Sequence, residues 1–546
     1  MKENTPQPNL TQRQLQILKL LQAGKVNKEV AQELGIGLGT VKQHIVAIFK
    51  KLKVSNRAMA ASQGMEIFHE QESRNSSLPV NLLASRPCVV LSIALPQDSS
   101  SLATKLMYGS LAAMASANNA VFLARNGNAG DLIFGIQRVT EYDLAIALQA
   151  ARAVYEDIMA IDADTAEQLR GCMTAGIAFA SMERFGGWTG EAIASSAIAS
   201  ARTLLNSVPL GGFIFEESAL DLTELFGIGG TQEVLPSMLF RELKNLHWTG
   251  KRRAYHLVGR VTELARIYAA LSKSANKEGS LVIVEGEMGM GKSSLCDAIS
   301  KLCRQQKGDV SFYRSLPATL GHNLYDTIND TECSADNVAA LLRLAPSSSP
   351  ELFVVDDFHH LPKERQEQIS AAGVEAAEKG KLVIFSGRKW VRDTNDSAAL
   401  TVPLRRLSAQ AIQELVRNAL GKSTLKDRSS KVQRITSTAA GVPLFAVELA
   451  RHHEKEYLSL PLRVAINARL DSLKLDHSLL LEIAKNVAGA NLSEVASTLG
   501  EDIATLRPQM QRCVAAGVLA CSDEEWLSFT HPLLRQAIDN LVIEQC

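Results

Sequence analysis

Eight cysteines are scattered along the chain with no C-x-x-C pair among them, so neither a zinc site nor a disulfide framework is encoded by spacing. They read as reduced, buried thiols of a cytoplasmic protein. Long hydrophobic runs are also missing. None approaches the roughly 20 residues that a membrane-crossing helix requires, and Met1-Lys2-Glu3-Asn4 opens no signal-peptide apolar region. No membrane partner is expected. Net charge is absent too, since 58 Lys and Arg balance 58 Asp and Glu. Locally that balance fails: residues 1–57 hold ten Lys and Arg against three Glu, an excess of +7. A small segment that basic suits a polyanion. What the chain does have is length. Its 546 residues, 46 % hydrophobic and 21 % charged, are enough for three or four ordinary domains.

The sharpest motif is Gly286-Glu287-Met288-Gly289-Met290-Gly291-Lys292-Ser293, which fits G-x-x-x-x-G-K-[ST]. The apolar run Leu281-Val282-Ile283-Val284 before it reads as a buried parallel strand, and Ser294 to Leu302 reads as a helix. Glycines let backbone N–H groups curl around a polyphosphate. Lys292 adds charge at the outer phosphates, the Ser293 hydroxyl completes a magnesium shell, and the helix start at Ser294 adds its dipole. A second apolar strand, Leu352-Phe353-Val354-Val355, ends in Asp356-Asp357. In phosphate-loop ATPases the first such acid holds magnesium and a following acid polarises the attacking water. ATP or ADP with Mg2+ is therefore the expected cofactor.

Residues 10–57 read as four short helices. Thr11 and Asn27 stand as caps, Gly24 and Gly35 as stops, and Thr40 opens a helix carrying Lys42, Gln43, His44 and Lys50. Helix, tight turn and basic helix outline a helix-turn-helix that enters the major groove. Leu10-Thr11-x-Arg13, Leu20-Leu21-x-x-Gly24, Asn27-Lys28-Glu29-Val30-Ala31, Thr40-Val41-Lys42-x-His44 and Lys51-Leu52-x-Val54-x-Asn56-Arg57 resemble the LuxR-type helix-turn-helix. The resemblance implies double-stranded promoter DNA as partner. It places Lys42, Gln43 and Val46 at bases, with Thr40, Val41, His44 and Lys50 supporting the grip. Two departures, Gly37 and Gln14, leave that implication intact, because glycine caps nearly as well as serine.

A Ser/Asn-rich stretch, Glu70 to Arg86, reads as a linker. Beyond it come a strand over Cys88–Ala94, a hairpin of Val121–Ala124 with Gly130–Ile136, a helix over Asp143–Met159 and a strand over Met173–Ala180, an α+β pattern. Gly130-Asp131 and the segment from Gly190 through Arg202 to Leu205 resemble a class III nucleotide cyclase domain. The chemistry of that family is missing: no carboxylate lies between Cys88 and Gln97, and its asparagine position is Ile198. The segment is expected to be a degenerate cyclase fold used for sensing, contact or dimerisation, with an unrelated α+β domain as the alternative.

Val258-Gly259-Arg260-x-x-Glu263-Leu264, Phe385-Ser386-Gly387-Arg388 and Gly441-Val442-Pro443-Leu444, together with the phosphate loop, resemble the STAND branch of AAA+-related ATPases over residues 250–455. That resemblance implies adenine packing near Gly259, γ-phosphate sensing by Arg388 and closure by Pro443. Ala490–Leu499, Thr505–Cys513 and strands at Gly517–Ala520 and Trp526–Phe529 resemble the winged helix that follows such ATPases, with His531 either near phosphates or structural.

The expected chain is multidomain α and α/β. Residues 1–66 are the helix-turn-helix, 67–86 the linker, 87–225 the degenerate cyclase-like α+β domain, 250–455 the phosphate-loop ATPase and 456–546 the winged helix. The expected function is an ATP-dependent, sequence-specific regulator of transcription. An unknown inducer and the nucleotide state would control its self-association, with RNA polymerase as a further partner. The rival is a nucleotide cyclase with a regulatory ATPase module; an ATP-driven remodelling machine lacks a pore-loop signature.

Overall fold

The computed structural model describes residues 81–540 apart from short stretches, the longest being 230–234, 249–256, 316–325, 389–398, 421–427 and 453–457. Of the first 80 residues it describes Ile45 alone, which is helical and buried. The expected DNA-contacting residues Thr40, Val41, Lys42, Gln43, His44, Val46 and Lys50 therefore lie outside the described residues. Two compact units divide the chain, one of residues 1–80 with 492–507 and one of residues 81–491 with 508–546. The second carries everything that follows except residues 492–507.

Its first layer is a sheet whose centre is a long antiparallel pair, Asn81–Ala94 against Arg170–Glu183. From one edge the order runs Val121–Arg125, Ala129–Phe134, Asn81–Ala94, Arg170–Glu183, Gly212–Phe215 and Ser237–Leu239. The expected hairpin, helix and strands are all present. The linker, however, stops earlier than expected: residues 81–86 are strand, paired with Ala178–Glu183. The Ser/Asn-rich stretch before them and Ser85-Arg86 within them hid the strand, because pairing with a partner strand outweighs weak intrinsic β-propensity. The sheet also extends past 225 through Ser237–Leu239.

Helices pack the sheet by ordinary periodicity. Ser101–Asn118 is capped by the Ser100 hydroxyl accepting from Ala103 N at 3.2 Å, and it buries Ala103, Met107, Leu111 and Ala115, one residue per turn. Asp143–Met159 is buried along nearly its whole first half. Against this core lies a helix from far down the chain. Leu460–Ser472 inserts Val464 and packs Leu460 and Ala468 onto the same cluster. A segment expected to open the C-terminal module instead completes the core of the first sheet.

One buried carboxylate there gives a pH signature. Asp143 accepts from the Thr140 backbone N–H at 3.1 Å and lies near Asp471 and Arg86. Burial pushes its carboxyl up to about 7, and Asp471 adds to the rise, against the lowering effects of Thr140 and Arg86. The folded chain holds this proton more tightly than the unfolded chain. The group therefore adds stability at low pH that is lost as pH rises through about 7. Asp143→Asn should unfold at a higher temperature than the unsubstituted chain near neutral pH and above, and the gap should close toward about pH 4. Calorimetric scans across that range check it; a gap that does not vary with pH contradicts it.

The second sheet runs Thr331–Cys333, Asp326–Ile328, Asp309–Arg314, Glu351–Asp356, Leu382–Gly387, Ser280–Glu285 and Leu400–Pro403. The last five strands are mutually parallel. The apolar runs of the three central ones, Glu351–Asp356, Leu382–Gly387 and Ser280–Glu285, are buried on both faces, as a helix-covered parallel sheet demands. The strand of the phosphate loop thus sits beside Leu382–Gly387, which in turn sits beside the strand ending in Asp356. All three carboxyl ends open on the same side, where such sheets bind ligands. Further along, Ala490–Asn491, Trp526–Phe529 and Leu519–Cys521 form a small antiparallel sheet. The helices Leu492–Leu499 and Ile503–Ala515 fall where the spacing predicts them.

Candidate functional site

The strand Ser280–Glu285 leads through residues 286–291 into the helix Lys292–Gln305. Gly289 and Gly291 take φ of 75° and 91°, values that only glycine adopts without strain. At Gly289 a Cβ would also lie 2.9 Å from the Leu444 Cβ. The loop is clasped from two sides. Buried Arg260 donates to Met290 O at 3.0 Å and pairs with Glu263 at 2.9 Å. Leu444 N, in the first turn of the helix Pro443–Arg451, donates to Gly289 O at 3.1 Å.

Above the loop is a cavity of about 330 Å³. Met288, Gly289, Met290, Gly291, Lys292, Ser293 and Ser294 line it, as do Asp357, Arg388 and Pro443, all expected from sequence. Gly286, Glu287 and Gly259 do not. Gly259 is a tight turn with φ of 68°, and its neighbours Leu257, Val258 and Arg260 face the cavity instead. Glu287 turns away to Arg469, whose Nη2 donates to it at 2.8 Å and also reaches Ala516 O. Lys292 Nζ donates to Gly286 O at 2.9 Å and Glu287 O at 3.1 Å.

The two acids of the second strand diverge. Asp356 is fully buried: Ser386 donates to its Oδ1, and Arg314 lies 3.2 Å from its Oδ2. Asp356 does not line the cavity. Asp357 does, displaced by a left-handed turn with φ of 56°. Beside it His359 and His360 also face the cavity. Burial drives His359 down to about 3, with His360 adding to the fall, so the ring is neutral.

Sequence reasoning missed a contribution from the first sheet. Glu141, in the segment just before the helix Asp143–Met159, lines the cavity and lies 3.7 Å from Arg388. The hydroxyl of the next residue, Tyr142, lies 2.8 Å from His360 Nε2. No local signal could have found them, because their meaning depends on contacts with residues far along the chain.

His531 resolves to the structural reading. It is buried, its Nδ1 accepts from Leu533 N at 3.1 Å, its Nε2 sits 2.9 Å from Ala439 O, and its ring meets Phe445 edge-on. In the first sheet Asp131 is fully buried among Ser92 Oγ at 2.6 Å, Arg202 at 3.1 Å and Arg125 at 3.3 Å. Ser92, its register partner on the first strand, supplies no second carboxylate. Two arginines and a serine already satisfy the single acid, an arrangement unlike a two-metal centre.

Residues 8–63 match the family described as bacterial regulatory proteins, luxR family, and residues 256–385 match the AAA ATPase domain. The chain is 52 % identical over 56 residues to the transcriptional regulatory protein LiaR of Bacillus subtilis, covering 10 % of this chain and 26 % of that protein. It is 23 % identical over 261 residues to an uncharacterized protein of Rhizobium meliloti, covering 43 % of this chain and 25 % of that one. Each match thus spans about a quarter of the relative's own length. Among solved structures, a Walker-type ATPase of Pyrococcus abyssi is similar at 11 % identity and TM-score 0.37, covering 52 % of this chain and 97 % of that one. The guanylyl cyclase Cya2 is similar at 12 % identity and TM-score 0.22, covering 28 % and 87 %. One chain therefore joins a LuxR-family regulatory helix-turn-helix domain at residues 8–63 to an AAA ATPase domain at residues 256–385.

Proposed function

We propose that this chain is an ATP-dependent, sequence-specific DNA-binding regulator of transcription, in which nucleotide state and an inducer control self-association and promoter binding. The observation that carries the reading is the cavity itself: a phosphate loop in a chain with a LuxR-family domain, with Arg388 engaged by Glu141 of a different module. Left-handed glycines, an inward helix start and Lys292 fit a polyphosphate. Mg2+ fits the Ser293 hydroxyl beside them, where it would neutralise phosphate charge; Asp356, held by Ser386 and Arg314 outside the cavity, does not join it.

A γ-phosphate in the cavity would compete with Glu141 for Arg388. ATP and ADP would then differ in how firmly the cyclase-like module is held, which is the differential binding a switch requires. A STAND-like closure by the Pro443 helix, and a winged helix linked through Arg469 to Glu287, would carry the same signal toward the C-terminus. A single helix-turn-helix grips DNA weakly, so self-association would supply affinity through effective concentration. Asp357 is the candidate for polarising the attacking water, and hydrolysis would reset the switch.

The DNA half of the reading is tested at the proposed recognition helix. Lys42→Ala should weaken operator binding by about 1–3 kcal/mol and reduce discrimination against random DNA, as for a base contact. Lys50→Ala, further along, should weaken all duplexes alike and lower the salt slope by about one, as for a phosphate contact. Fluorescence anisotropy on operator and scrambled duplexes at several salt concentrations separates the two. Equal losses on both duplexes for both variants would remove the helix from the groove.

A further inference from the structure

Among the described residues, one group of histidine and carboxylate side chains gathers three candidate ligand atoms: Asp357, His359 and His360 offer theirs within 4.8 Å of one another. A single short turn presents them. Asp357 takes the left-handed conformation, Phe358 to His360 form one 3-10 turn, and Phe358 anchors it by stacking on Phe385 at 4.7 Å. All three ligands face the cavity while Phe358 is buried beneath.

Two further observations point to an ion. Both ring nitrogens of His359 are buried without a hydrogen-bond partner, an arrangement that carries a desolvation cost unless something binds there. The ring of His360 is oriented from outside, by the Tyr142 hydroxyl at 2.8 Å and an edge-on ring contact at 5.5 Å. Outer partners of this kind position the histidines of metal centres. The nearby cations already have partners: Arg388 lies 3.7 Å from Glu141, and Lys292 donates to two loop carbonyls.

We propose that Asp357, His359 and His360 bind a divalent transition ion of the zinc class, with its remaining position open to the cavity. Imidazole donors suit zinc, nickel, iron or copper, whereas magnesium prefers oxygen. Three protein ligands and one open position form the arrangement of a reactive zinc site. The centre needs no nucleotide to form, and while the ion is bound Asp357 serves as its ligand and not as the base for the attacking water. Through Tyr142 it ties the ion to the cyclase-like module.

The test uses the full chain, stripped of metal with a chelator and free of nucleotide, titrated with Co2+ and then Zn2+. The expected result is the visible absorption of one tetrahedral Co2+ without thiolate charge-transfer bands, displaced by Zn2+ and not by excess Mg2+. His359→Ala and His360→Gln should each weaken Co2+ binding about 10-fold or more, with metal-free thermal unfolding unchanged. His360→Gln serves as the conservative variant should His359→Ala fold poorly. An octahedral spectrum, or affinity indifferent to both substitutions, overturns the proposal. ATP affinity measured by calorimetry on the same protein reports separately on the nucleotide reading.

Discussion

Lys292→Ala is expected to lower ATP affinity by about 10- to 150-fold, equivalent to roughly 1.5–3 kcal/mol for losing a charged hydrogen-bond donor to phosphate. The magnitude follows from placement. Lys292 begins its helix and is buried to 8 % exposure, with its amine already at the loop beside the carbonyls of Gly286 and Glu287. A nucleotide gains that charge without ordering a mobile side chain. Alanine keeps the helix and the left-handed glycines, so the loop should persist while its charge is gone. The isolated N-terminal domain should still bind DNA, because the phosphate loop lies outside it. Titration calorimetry decides: undiminished affinity in the variant would mean that phosphate is not held here.

The second large effect is structural. Arg86 and Asp471 form a bidentate ion pair at 2 % and 7 % exposure, joining the first strand to the helix Leu460–Ser472. Asp471 also accepts from Val139 N at 2.6 Å, and Arg86 Nε donates to Gly135 O at 3.2 Å. Removing one partner strands a charge in the interior, which costs about 3–5 kcal/mol. Arg86→Ala and Asp471→Ala should each lower the temperature at which this unit unfolds. Arg86→Met with Asp471→Leu should recover only part of it, because in the double variant Val139 N and Gly135 O both lose these partners. Differential scanning calorimetry measures the three variants; single variants that unfold like the unsubstituted chain would show that the pair carries no such weight.

The same residues explain what could be read in advance. Strands such as Leu281–Val284 and Leu352–Val355 were legible because two-sided burial makes them continuous apolar runs. The phosphate loop was legible because its chemistry fixes residue types at fixed spacing. Residues 81–86 were not, since Arg86 is buried only because Asp471 arrives from far along the chain. Glu141 was illegible for the same reason: its neighbours give no hint that Arg388 will meet it. The divergence of Asp356 from Asp357 was equally hidden, because one positive φ turns the second acid into the cavity and leaves the first with Ser386 and Arg314.

Control of DNA binding by nucleotide state can be measured on the whole protein. The full chain is titrated onto a promoter duplex recovered by genomic footprinting, once with ATP and Mg2+ and once with ADP and Mg2+, with Lys292→Ala in parallel. Tighter, more cooperative binding is expected with ATP than with ADP, and no nucleotide dependence in the variant. Identical isotherms for the unsubstituted chain in ATP and ADP would contradict such control.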